Sequence, residues 1–302
     1  MKKYLFLFFF SDVLLFAFGG GTGEKDNPFQ IWNKDHLEEL SDSVYNDAWR
    51  SECWHCDKYF RLMQDIYDVD KYVSWFYGYF YGNLKKITIN TAASYPFFSA
   101  IDNEGVIDSL ITDSYINNIA SGIVGGLVRT YSITGPKDPP ILSNCINNIN
   151  DLAYSGIAGQ NMGGLITHCL NNGSVSGVDA IAGITGNNEG RITYCINTGK
   201  ISGKSSLGGI VGITINGSYV NQGVLNCINT GDVEGQERVG GIFGYGTRAV
   251  ISNCINSGYI KGEKAVGGIL GFMYNSSATI SNCVNVGVVE GEEEVGGIVG
   301  KE

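Results

Sequence analysis

Proline is nearly absent from this 302-residue chain, at 5 residues, and histidine is rarer still, at 3. Basic residues number 20 against 30 acidic ones, a net charge of −10. Scarce proline sets the chain apart from low-complexity sequences rich in both Pro and Gly. Its 43 glycines, roughly twice the usual share of about 7%, are therefore positional. The deficit of positive charge argues against nucleic acid, which calls for a basic footprint. So few histidines leave little for structural zinc, and no Ser-His-Asp set or phosphate-cradling loop with a following helix occurs. No apolar run reaches the roughly 18 residues of a membrane span. The two longest, Tyr4 to Phe10 and Val13 to Phe18, are separated by Ser11 and Asp12.

What those two runs do resemble is an export leader. Lys2 and Lys3 form a basic start, the apolar stretch is short, and Ala17 and Gly19 suit cleavage after Gly19. No cysteine stands at the exit, so a lipid anchor is not indicated. The expected location is outside the cell or at its surface, with no membrane span in the mature chain.

The rest is dominated by a phrase that returns six times. Cys145, Cys169, Cys195, Cys227, Cys254 and Cys283 are each followed by an aliphatic residue and then by Asn147, Asn171, Asn197, Asn229, Asn256 or Asn285. A glycine stands two places after each asparagine except the first, where Ile149 replaces it. A second phrase follows most copies, as in Val239-Gly240-Gly241-Ile242-Phe243-Gly244. Successive cysteines lie 24, 26, 32, 27 and 29 residues apart. Repeats of that period mean stacked units. Each unit contains three short extended segments, in the last case Thr279 to Asn285, Val286 to Glu290 and Val295 to Gly300, and none is long enough for a periodic helix. The expected fold is all-β, a parallel β-helix (a β-solenoid) with three short strands per turn. Leucine-rich repeats are the rival, but their helical return segment and leucine ladder are missing. The longer intervals place extra residues around Ile215 to Gly223 and Phe272 to Ser277, so loops emerge along one corner.

Ahead of the repeats, Pro28 to Trp32 reads as extended, and a short helix begins near Asn33 or Asp35. Leu37, Leu40 and Val44 share one helix face, and Asp35 with Glu38 offers a cap. The predicted organisation is a signal peptide at 1–19, a cap with a short helix at 20–57, aromatic-rich first strands at 58–100, and repeats at 101–302 with no recognisable C-terminal cap. The end of the array is expected to be covered by missing sequence or by another chain.

These phrases resemble the GLUG-type repeats of bacterial exported and surface proteins. Asn27-Pro28-Phe29-Gln30-Ile31, Phe60-Arg61-Leu62-Met63-Gln64-Asp65-Ile66 and Phe80-Tyr81-Gly82-Asn83 are similar to that family's upstream strands and turn, whereas Leu84-Lys85-Lys86 departs from it. The resemblance implies a right-handed parallel β-helix in a secreted or surface-anchored protein, and modules of this kind stand beside peptidase or adhesin domains in longer chains. It does not imply an enzyme.

Candidate functional residues are few. Tyr77, Tyr79 and Tyr81 alternate with Phe76, Gly78, Phe80 and Gly82 and form a candidate carbohydrate-stacking row. The six repeat cysteines are expected to be reduced and buried. Stacked equivalents about 4.8 Å apart have parallel Cβ vectors, whereas a disulfide wants them near 3.8 Å. The six asparagines are expected to bond their own turn and their neighbours above and below. Cys53-Trp54-His55-Cys56 is a loop disulfide or two ordinary thiols. Glycosidases on β-helices gather carboxylates on one face. Asp65, Asp68 and Asp70 are close in sequence but lie in the entry region, and the column Ser176, Ser202, Glu234, Lys261 and Glu290 changes sign from rung to rung, as a solvated edge does. No catalytic residue, metal ligand or cofactor is assigned. The reading is a non-catalytic surface β-helix with a structural or adhesive role, its partners host or cell-surface glycans or proteins. The alternatives are a polysaccharide-active enzyme or carbohydrate-binding module, and an accessory repeat region of a larger surface peptidase.

Overall fold

The computed structural model describes residues 18–47, 54–90, 96–102, 104–114, 122–128, 131–132, 135–136, 138–214, 223–274 and 278–302. Short strands stack in parallel into a β-solenoid of about nine turns. The stack is clearest in a nine-stranded sheet that runs from Val73–Phe76 to Val299–Lys301, each strand paired with its equivalent in the adjacent turn. One helix, α1 (Lys34–Asp47), precedes it. Leu37, Leu40 and Val44 are fully buried on its inner face. The capping acceptor is Asn33, not Asp35: its Oδ1 accepts the His36 backbone N–H at 3.0 Å, because the helix starts at Lys34 and His36 is the third residue of the first turn. Phe18, just before the expected cleavage point, is buried against Phe29 (centroids 5.0 Å apart) and Phe60 (5.7 Å). The leader before it lies outside the described residues.

Bends subdivide the three expected segments of each repeat. The last full turn contains five strand pieces: Thr279–Ser281, Val284–Asn285, Val289–Glu290, Glu293–Gly296 and Val299–Lys301. The first expected segment is broken at Asn282 and the third at the Gly-Gly pair. Asn282 and its equivalents Asn144, His168, Tyr194, Asn226 and Asn253 all have φ near +55°, and so do Glu294, Ala265, Arg238, Ser206 and Ala180. A left-handed residue turns the chain without ending its pairing to the next rung. Each turn therefore bends at two columns of non-glycine residues. The departure at Leu84 has the same origin: Asn83 and Leu84 both have φ of 54°, and the register slips there by a bulge. Most of the two expected corner loops lies outside the described residues. Phe272, assigned to a loop from spacing, belongs to the strand Leu270–Met273.

The interior explains both phrases together. Asn171 donates from Nδ2 to the Gly173 carbonyl at 2.8 Å and to Asn197 Oδ1 at 2.7 Å. Asn197, Asn229 and Asn256 repeat both bonds, and Asn147 donates to the Ile149 carbonyl in place of a glycine. The asparagine-to-asparagine distances are 2.7–2.8 Å from Asn147 to Asn285. Thr112 closes the N-terminal end by donating to Asn147 Oδ1 at 3.2 Å. Facing this ladder stands a column of glycines, Gly183 after Ala182 and then the second glycine of each Gly-Gly pair. A Cβ at Gly183, Gly209, Gly241 or Gly268 would collide with Asn197, Asn229, Asn256 or Asn285 respectively, and with the backbone carbonyl of the next rung. The asparagine fills the space that the glycine leaves.

The cysteines line the same interior. All six repeat thiols are free, five are buried, and Cys283 in the last rung is half-exposed. Each Sγ lies 3.0–3.4 Å from the carbonyl two residues back. Burial pushes the Cys145 and Cys195 thiols well above their ordinary range, and the contact with Cys227 holds Cys254 at about 12. Contact with Cys254 raises the Cys283 thiol as well, so access and not thiolate content decides which thiol reacts, and Cys283 is the one repeat thiol that solvent reaches. A thiol reagent is thus expected to label Cys283 first in the native protein and the other five only on unfolding. Equal labelling of all six under native conditions would show that the stack opens. Cys56 is disulfide-bonded; Cys53 lies outside the described residues.

Candidate ligand-binding surfaces

The three tyrosines do not form one row. Tyr79 and Tyr81 point outward from the strand Tyr79–Ile89, but Tyr77 sits at the corner made by Gly78, beside the His55 ring at 5.8 Å. The missing member is Tyr59, which pairs with Tyr79 in the adjacent turn. Their rings stack 4.3 Å apart at 6°, and Tyr59 also lies 6.2 Å from Tyr81. Burial, and then Tyr59, hold the Tyr79 and Tyr81 hydroxyls above their usual range; for Tyr77 the causes are burial and Asp102. Sugar stacking needs an open ring face. Here the facing sides of Tyr59 and Tyr79 cover each other. The alternation in sequence marks the outward side chains but carries no information about which turn lies alongside.

The acidic positions of the first turns do not converge. Asp65 accepts the Lys86 backbone N–H at 2.9 Å, and Asp70 pairs with Lys34 at 3.1 Å. The column Ser202, Glu234, Lys261 and Glu290 does line a shallow groove of about 510 Å³, together with Gln236 and Glu263. Glu290 accepts the Tyr259 hydroxyl and pairs with Lys261 at 3.1 Å. These contacts hold its carboxyl below the usual range, Tyr259 first and Lys261 next. A general acid in glycoside hydrolysis needs the opposite shift. Glu234 is paired with Lys200 at 2.8 Å. Glu290 is thus held in its charged form by Tyr259 and Lys261.

A third surface was not visible in the sequence. Outward residues of the nine-stranded sheet fall in register as Trp75, Ala100, Gly126, Gln160, Asn187, Ile213, Tyr245 and Phe272. Where this row falls to Ala100 and Gly126 the surface sinks. Beside that point lies a hollow of about 320 Å³, lined by Tyr154, Gly159, Gln160, Asn187 and Ile213 among others. Tyr154 is 55% exposed at its rim. The buried Oδ1 of Asn187 has no hydrogen-bond partner, so turning its amide toward a ligand sacrifices no bond from that oxygen. Further along, Tyr245 and Phe272 stack at 5.6 Å, with Arg238 over Tyr245 and Lys301 over Phe272. The available signal was the recurrence of Gly244-Tyr245 and Gly271-Phe272 at one place in the repeat.

Among the described residues no group of three or more His, Cys, Asp or Glu is placed to hold a metal ion, and no helix is long and apolar enough to cross a membrane. No protein-family model matches the chain, and no curated protein matches it. Among solved structures, the crystal structure of a putative immunoglobulin A1 protease from Bacteroides ovatus is similar, with a TM-score of 0.56 and 20% identity. The match covers 88% of this chain and 77% of that one. At that identity the likeness concerns the fold.

Proposed function

We propose that this chain is an exported, cell-surface β-helix repeat protein of the GLUG type, whose role is adhesive and whose ligand is a neutral glycan held on the nine-stranded sheet. The observation that carries the reading is the hollow beside Tyr154. It combines an open aromatic ring, the amides of Gln160 and Asn187, and no charged lining residue. Rings and amides are the groups that match the apolar faces and hydroxyls of a sugar. Export is supported by the leader and by the disulfide at Cys56. The seat of Phe18 favours cleavage ahead of that residue over cleavage after Gly19.

A glycan array probed with the purified protein tests this reading. Binding is expected, and Tyr154→Ala and Asn187→Ala should each weaken it about tenfold or more, or about 1.4 kcal/mol. No glycan bound, or binding indifferent to both changes, would reject the site. The fold likeness to the Bacteroides ovatus protein supports a second reading, an accessory repeat region of a larger surface peptidase. Under that reading the purified chain leaves immunoglobulin A1 intact; cleavage by it would make the chain a peptidase in its own right.

A further inference from the structure

The chain's charge is not spread evenly over its turns. Six stretches, 141–148, 165–172, 191–198, 223–230, 250–257 and 279–286, stack on one another through the first two strand pieces of each repeat. Of the chain's 30 acidic residues none falls in them; Arg191 is the one permanent charge, and His168 the one other titratable group apart from Tyr194 and the cysteines. The preceding turn carries Asp108 and Asp113 at the equivalent places, so the band begins where the repeats begin. The acid of the repeats lies outside these stretches, at their margins in Asp151, Glu189 and Asp232 and farther round the turn in Asp179, Glu234, Glu237, Glu263, Glu290 and Glu292–294.

Along the band runs an aliphatic column: Ile146, Leu170, Ile196, Ile228, Ile255 and Val284. Its alternation with the buried cysteine and asparagine turns it outward. Ile196, Ile255 and Val284 are 37%, 41% and 49% exposed. Asparagine, threonine and serine flank it, with Asn172 donating to Asn148 at 2.9 Å and Thr198 donating to Asn172 at 2.9 Å. An outward aliphatic at every rung has no role in filling the interior.

We infer that this uncharged band is a contact surface for a second copy of the same chain, laid side by side. Two features single out that partner. Two copies of net charge −10 repel wherever their acidic corners meet, and the band is where they can approach without an acidic side chain between them. The partner's column also has the same spacing of about 4.8 Å, so the aliphatics of one copy fit between the rungs of the other along the whole array. Six rungs of this width offer an area on the order of 500 Å² per copy, below the roughly 800 Å² of a standard stable interface. The association is therefore weak and reversible, and effective where copies are crowded.

Sedimentation equilibrium of the purified protein over a concentration series tests the inference. The average mass should rise from monomer toward dimer with concentration. It should rise more readily in about 1 M salt, where screening extends only to about 3 Å separations, than in low salt. Ile255→Glu should abolish the rise, Ile196→Glu should do so independently, and Glu234→Gln on the acidic groove should leave it intact. Circular dichroism melts of the variants establish that the outward changes leave the fold in place. A monomer at every concentration and salt, association that weakens with salt, or association indifferent to both isoleucine changes would each overturn the inference. Neither isoleucine touches the hollow at Tyr154, so the outcome is independent of glycan binding.

Discussion

Gly209→Ala is expected to destabilise the protein by more than about 3 kcal/mol, at or above the upper end of overpacking costs. Gly297→Ala, the same change at the equivalent position in the last rung, should stay within about 0.5 kcal/mol. A methyl group at Gly209 meets Asn229 and the Gly241 carbonyl, whereas at Gly297 nothing lies within 4 Å. The collision cannot be relieved by a rotamer change, because Asn229 is fixed from three sides. It receives Asn197 at 2.8 Å and donates to Gly231 and Asn256, both at 2.8 Å. Truncating it as well, in Gly209→Ala/Asn229→Ala, should recover only part of the loss, since the backbone contact remains. Urea titration of the three variants measures this. Equal costs at Gly209 and Gly297 would mean that glycine is required by local backbone geometry and not by the opposite wall.

Ile242→Asp should cost more than about 4 kcal/mol, because it places an unpaired carboxylate in the dry interior. Ile242 is fully buried, and its carbonyl accepts both the Ile210 N–H at 3.0 Å and the Val211 N–H at 2.9 Å. The side chain cannot swing outward without releasing the corner of the turn before it. Ile298→Asp, in the last rung where the residue is 40% exposed, should cost less than about 1 kcal/mol. Thermal melts of the pair decide the matter: an unchanged melting temperature for Ile242→Asp would place its side chain outside.

The difference between these positions shows what the sequence could reveal. Period, strand content and the inward column of cysteines follow from the repeat itself, and Leu37, Leu40 and Val44 from helical spacing. The bends were hidden because their signal is ordinarily glycine. One column carries asparagine, a type that tolerates the left-handed region, at Asn144, Asn226, Asn253 and Asn282, but His168 and Tyr194 in the same column and Arg238 and Ala265 in the other adopt it with no such signal. The coupling of Gly209 to Asn229 was hidden for a different reason. The two are 20 residues apart and belong to separate phrases, and only the cross-section of the coil brings them face to face. The Tyr59–Tyr79 stack and the hollow at Tyr154 are likewise products of which turns lie side by side. That information is cumulative along the array, so no local pattern carries it.

The asparagine ladder has a direction. Every Nδ2 points toward the C-terminus and every Oδ1 toward the N-terminus, starting from the Thr112 hydroxyl. Each amide therefore hands its neighbour the group that the neighbour must hand on, and adjacent turns are interchangeable at that point. Excise one whole repeat, and Asn197 meets Asn256 with the same donor and acceptor it offered Asn229. Excise part of one, and the polarity is broken inside a dry interior. A gene encoding such a chain can lengthen or shorten by unequal recombination in complete repeats at little structural cost, which makes reach a heritable quantity that varies in steps of one rung.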